Sequence, residues 1–196
     1  MAEPMNDVFL LTCATAQDPI RWRLAQAVMA RLKAETDQVT MLTPMRVGST
    51  RLNFLCTAWA YAESHSSGDY FWIVDDNMPA NRNFVEIGFK LLTAYYSTFV
   101  MIAARERAKP PSTETVVSVI EPAGPTFCRK GILGPILEAH RKEWDRANDR
   151  NFTEWILSAT TWRVGRARDL TYNDLGYKLG TLWPDDYESG LTQIAE

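Results

Sequence analysis

The chain has 196 residues, about the length of one ordinary domain and enough to bury most of its apolar surface. With 46% apolar and 23% charged residues it is not a disordered chain, and a net charge of −3 argues against a broad basic nucleic-acid footprint. Cys13, Cys56 and Cys128 are odd in number and lack CxxC spacing, and only His65 and His140 accompany them. That makes a poor zinc site and points to free thiols in a reducing compartment. No signal-peptide pattern and no membrane-spanning apolar run is present, so the expectation is a cytoplasmic chain with no membrane partner.

Val8 to Leu11 is a short apolar run suited to a strand buried on both faces, followed by the small-residue turn Thr12-Cys13-Ala14-Thr15. Asp18 and Pro19 then fit the cap and first position of a helix carrying Ile20, Leu24, Ala27, Val28 and Leu32 on one side. A second strand is expected over Gln38 to Leu42 and a second helix over Arg51 to Glu63. Tyr70 to Val74 forms the strongest strand and stops at Asp75-Asp76-Asn77. Phe84, Gly88, Leu91, Leu92 and Tyr95 define a third helix, and Thr98–Ile102 and Thr115–Ile120 read as strands. Ala123-Gly124-Pro125 breaks the chain, a helix begins near Pro135, and another spans Phe152 to Trp162, closing at Gly165. The last thirty or so residues are weakly patterned.

Strands alternating with helices imply an α/β fold with a mostly parallel central sheet, whose ligands bind beyond the carboxyl ends of the strands. The loops from Thr12 to Asp18 and from Asp75 to Pro79 fall there. Adjacent oxygen side chains at Asp75, Asp76 and Asn77 would suit a hard cation, Mn²⁺ or Mg²⁺, able to neutralise a diphosphate. A solvated turn with Asn77 in a left-handed conformation accounts for the same residues.

The stretch Gly68 to Pro79 resembles the DXD region of GT-A glycosyltransferases, especially the family-2-like group, and Arg51-Leu52-Asn53 sits where those enzymes carry an R-N pair. Ile120 to Lys130 is similar to their acceptor-side segment, with a glycine turn at Gly124 and paired basic residues at Arg129 and Lys130. Thr153-Glu154-Trp155 falls where inverting members place the catalytic base. The resemblance implies a single GT-A-like domain over residues 1–196, with a nucleotide-binding half to about residue 80 and an acceptor-binding half beyond. It implies a nucleotide-sugar donor held by Thr12, Ala14, Asp18, Arg51, Asn53, Asp75 and Asp76, a metal on Asp75, Asp76 and Asn77, and Glu154 deprotonating the acceptor.

The sequence departs from that pattern in having Asn77 for a carboxylate, Trp155 after Glu154, and no late histidine. Glu154 also reads as a first-turn carboxylate favoured by the helix dipole. A glycan, a small molecule and a nucleic-acid base stay open as acceptors, the last because residues 129 to 168 carry nine Lys/Arg against five Asp/Glu together with Trp. Two other readings stay open: a catalytically idle scaffold of the same fold, and a nucleotidyltransferase. The absence of Gly, Lys and Arg between Thr12 and Asp18 disfavours the latter.

Overall fold

The computed structural model describes residues 6–12, 19–42, 51–76, 80–122, 124–144 and 149–172. In chain order these form β1 (Asn6–Leu11), α1 (Pro19–Glu35), β2 (Val39–Leu42), α2 (Arg51–His65), β3 (Tyr70–Asp75), α3 (Phe84–Ala94), β4 (Phe99–Glu106), β5 (Val116–Ser118), β6 (Thr126–Arg129), α4 (Leu133–Ala139), a short 3-10 turn (Arg141–Glu143), α5 (Asp149–Ala159) and β7 (Arg163–Tyr172). The seven strands make one mixed sheet in the order β2-β1-β3-β6-β4-β7-β5. The α/β expectation holds: β1 is parallel to β2 and to β3, and β4 is parallel to β7, while β6 and β5 run antiparallel to their neighbours.

Two strands differ from the sequence expectation. Thr126 to Arg129, to which the sequence pattern assigns no element after the Gly124 break, is β6, which fills the gap between β3 and β4. All four of its residues are buried, so it has none of the polar alternation that marks a half-exposed strand. Gly165, expected to close a helix, lies inside β7 with Arg163, Arg166 and Arg168. The three arginines hide a strand whose buried positions are mostly small or aliphatic.

Because side chains alternate across a strand, β1 and β3 feed two separate cores. Val8, Leu10, Trp72 and Val74 face Leu24, Val28 and Leu32 of α1 and Phe84 and Leu92 of α3. Phe9, Leu11, Phe71 and Ile73 face Trp59 of α2, Leu137 of α4 and Ile156 of α5. The sheet is thus sandwiched between α1/α3 and α2/α4/α5. Trp72 is the pivot of the first core, stacked on Phe127 of β6 at 4.6 Å and edge-on to Phe84 at 4.7 Å. Helix α3 reaches this indole only because residue 88 is glycine; a Cβ there would lie 2.1 Å from Trp72 Cζ2.

On the second side, Glu63 of α2 ties down the start of α4. Its Oε1 accepts the Gly131 N–H at 2.6 Å, and its carboxyl is pushed above the usual carboxylate range by burial, partly offset by the N–H groups of Gly134 and Gly131 and by Lys130. Among the described residues no helix is long and apolar enough to cross a membrane.

Two stability outcomes follow from these contacts. Gly88→Ala is expected to destabilise the fold by about 1–3 kcal/mol through overpacking against Trp72, read as a lowered midpoint in urea with an unchanged slope. A raised folded-state pKa means that the contribution from Glu63 is fully present below its ordinary pKa and fades as pH rises through the raised one. Glu63→Gln should therefore gain stability over the parent chain as pH climbs above the ordinary carboxylate range and show no gain at the acid end; a gain independent of pH would contradict the assignment.

Candidate functional site

The parallel register pairs Leu11 with Asp75, which sets Thr12 opposite Asp76 just past the ends of β1 and β3. The pleat then sends Asp75 towards the α2 side, in line with Phe71 and Ile73, and Asp76 towards the α1 side, in line with Trp72 and Val74. The two acids do not converge on one point, as the sequence led us to expect.

Asp76 is fully buried, and both of its oxygens are taken. Arg21, on the first turn of α1, donates Nε to Oδ2 and Nη2 to Oδ1, each at 2.9 Å, and the Thr12 hydroxyl donates to Oδ2 at 2.5 Å. The Asp76 N–H donates to Leu11 O at 3.0 Å. This two-pronged pair anchors the start of α1 to the end of β3. A carboxylate so enclosed is a structural anchor, which corrects its expected role as a metal ligand. Among the described residues no group of three His, Cys, Asp or Glu could hold a metal ion; Asn77, the third member of the expected cation site, lies outside them. Asp75 is half-buried at the same edge.

Gly124 also reaches this edge. It lies two residues before Thr126, which pairs with Ile73 on one side and Ala103 on the other, so Gly124 is level with Asp75. Its φ of 84° is the left-handed conformation that glycine adopts freely. A Cβ would also meet the Tyr172 ring at 2.3 Å. Thr12, Asp75 and Gly124 thus share one edge of the sheet, with the Thr12 hydroxyl on the Asp76 side and the Asp75 carboxyl on the other.

Arg129 and Lys130 are not. Because β6 runs antiparallel, Arg129 pairs with Tyr70, the first residue of β3, at the opposite edge of the sheet. Its guanidinium lies 3.7 Å from the Tyr96 ring centroid and 4.5 Å from that of Trp162, and donates to Tyr96 O at 2.8 Å. Lys130 Nζ donates to Ser66 O. Both are corrected from acceptor-side residues to fold-stabilising ones. Glu154, expected as the catalytic base, is on α5. Helix α5 buries Phe152, Thr153, Trp155 and Ile156, leaving Glu154 on the solvent side, where it accepts from Arg150 Nε at 2.9 Å. Ala14, Asp18 and Asn77 lie outside the described residues, as do the side chains of Arg51 and Asn53 at the start of α2. The sequence reading missed Arg21, which falls on the polar face of α1 and is told apart from its neighbour Arg23 only by the sheet register.

Three solved structures of similar fold set this edge in context. A glycosyltransferase involved in glycosylation of the major capsid of PBCV-1 superposes with a TM-score of 0.56 at 12% identity, over 98% of this chain and 99% of that one. The 4-diphosphocytidyl-2C-methyl-D-erythritol synthase of Anaerococcus prevotii does so at 0.52 and 11% identity, over 98% and 99%. A UDP-glucose pyrophosphorylase complexed with UDP-glucose gives 0.52 and 8%, over 97% and 99%. At these identities the likeness is one of fold: an α/β sheet of GT-A type shared by glycosyl- and nucleotidyltransferases. No family model matches the sequence, and no curated protein matches it.

Arg21→Gln would strand the buried Asp76 charge, at a penalty of about 3–5 kcal/mol. The double variant Arg21→Gln with Asp76→Asn should recover much of that loss in a denaturation cycle; simple additivity of the two single losses would show that the pair is not the anchor described.

Proposed function

We propose that this chain is a nucleotide-sugar-dependent transferase, and that it moves a glycosyl group from a nucleoside-diphosphate donor to an acceptor hydroxyl. The observation that carries this reading is the alignment of Thr12, Asp75 and Gly124 along the carboxyl edge of the sheet, with the inserted strand β6 between the β1–β3 half and the β4–β7 half. In open α/β sheets ligands occupy this edge. Support comes from the glycosyltransferase of similar fold and from the UDP-glucose complex of the pyrophosphorylase.

In this arrangement the Arg21–Asp76–Thr12 anchor fixes the ends of β1 and β3 and the start of α1 relative to one another, the preorganisation that transfer chemistry requires. The Asp75 carboxylate accepts hydrogen bonds from the donor's hydroxyls. Mn²⁺ or Mg²⁺ would meet Asp75 and not Asp76, and a single carboxylate makes a weak site for a hard cation.

Thermal shift against UDP-, GDP- and CDP-sugars, with Mn²⁺ and with EDTA, tests donor binding. Stabilisation by one nucleotide class is expected, surviving EDTA with less than about a tenfold loss of affinity, and Asp75→Asn should lower it. Indifference to every donor would favour the idle scaffold. Product analysis then separates the chemistries, because glycosyl transfer releases a nucleoside diphosphate whereas nucleotidyl transfer to make a nucleotide sugar releases pyrophosphate. Release of pyrophosphate would make the chain a nucleotidyltransferase instead.

A further inference from the structure

The second core ends abruptly on the β4–β7–β5 side of the sheet. Val164 of β7 belongs to that core with Trp155 and Ile156 of α5. Further along β7 the chain supplies Arg166 and Arg168. With Arg105 at the end of β4, Lys109 and Pro110-Pro111 in the following loop, and Val117 of β5, they line a cleft of about 360 Å³.

The cleft is preorganised by its own backbone. Arg105 donates Nε to Arg168 O at 3.3 Å and Nη1 to Glu106 O at 3.1 Å and to Lys109 O, fastening the β4–β5 loop to β7. Lys109 pairs with Glu106 at 2.9 Å and Arg168 with Asp169 at 2.9 Å. Four cations therefore face two carboxylates, an excess of two positive charges. Arg166 donates Nη2 to Glu121 O at 2.5 Å and meets no carboxylate among the described residues. A guanidinium has five donors in a fork suited to phosphate.

The position matters as much as the charge. Ile73, Thr126 and Ala103 are level across β3, β6 and β4, so Asp75 and Arg105, each two residues further on, are level too. At strand spacings of about 4.8 Å their backbones are roughly 10 Å apart, on the same sheet edge.

We propose that this cleft holds the phosphate of a small phosphomonoester acceptor, while the acceptor's hydroxyl reaches towards the donor at Asp75. The proposal rests on the transferase reading above and names its acceptor class. A phosphomonoester carries about −1.5 to −2 charges at pH 7, matching the excess of two cations. The volume lies at the small end of ligand cavities. Pro110, Pro111, Val117 and Ala167 give the carbon skeleton an apolar wall, and among the described residues no aromatic side chain lines the cleft to stack a base as single-stranded nucleic acid would require.

Isothermal titration of the whole chain with glucose 6-phosphate, glucose, inorganic phosphate and oligo-dT tests this. Glucose 6-phosphate should bind at least about tenfold tighter than glucose or phosphate alone. Arg166→Gln should weaken it by about tenfold or more, and Arg166→Lys by less, since charge is kept while the fork is lost. Lys109→Gln, on an exposed side chain, gives a second loss should Arg166→Gln disturb the fold. Equal binding of glucose and glucose 6-phosphate, unchanged affinity in both neutral variants, inorganic phosphate binding as tightly as the ester, or displacement by oligo-dT at lower concentration would each overturn it. Nucleotide-sugar stabilisation of the parent chain, measured without any sugar phosphate, reports separately on the transferase reading and should survive in Arg166→Gln.

Discussion

Strands buried on both faces must send successive side chains to opposite sides, and this one constraint decides most of what the sheet edge can do. It sorts Trp72 and Val74 from Phe71 and Ile73, so that two cores form on one sheet. Carried one step past the strand end, it separates Asp75 from Asp76. The same alternation along β7 replaces the core residue Val164 by arginines once α5 no longer covers the sheet. Structural and chemical roles are thus dealt out by residue parity as much as by residue type.

The Arg21–Asp76–Thr12 cluster shows why an acidic pair is ambiguous in sequence. An apolar strand that stops at two acids is compatible with a shared ion. It is equally compatible with one acid turning inward to a cation on the neighbouring helix. The second arrangement needs an arginine one turn into that helix and a hydroxyl in register on the adjacent strand, and both are present. The enclosed pair holds α1 and β3 in one geometry, and parity turns Asp75 to the other side of the sheet.

Most of the sheet was legible from local pattern. β1, α1, β3 and α3 carry strong periodicity, and the order β-α-β already implied parallel pairing and the edge at which ligands bind. What escaped were β6 and β7. The first is four residues long and buried throughout, so nothing alternates; the second is studded with arginines that mimic a solvated segment. Missing β6 had a direct effect on the site: with no strand assigned, Gly124, Arg129 and Lys130 were all expected on the acceptor side. As an antiparallel strand the segment keeps Gly124 at the carboxyl edge of β3 and carries Arg129 and Lys130 to the far one. Glu154 was legible as a helical residue, but the face it occupies depends on α5 packing Phe152, Trp155 and Ile156 inward, a tertiary fact.

The insertion of β6 between β3 and β4 also bears on how the chain reaches its fold. β2, β1 and β3 come from residues 6–75 and can pair as soon as they are made, but the inner edges of β3 and β4 have no partner until residues 126–129 arrive. Both edges belong to nearly uninterrupted apolar strands. An unpaired apolar edge is a template for pairing with another molecule, and closing it requires contacts more than fifty residues apart in sequence, which is slow. Thr126 to Arg129 thus acts as a late keystone: until it seats, the half-built sheet is the species most prone to self-association.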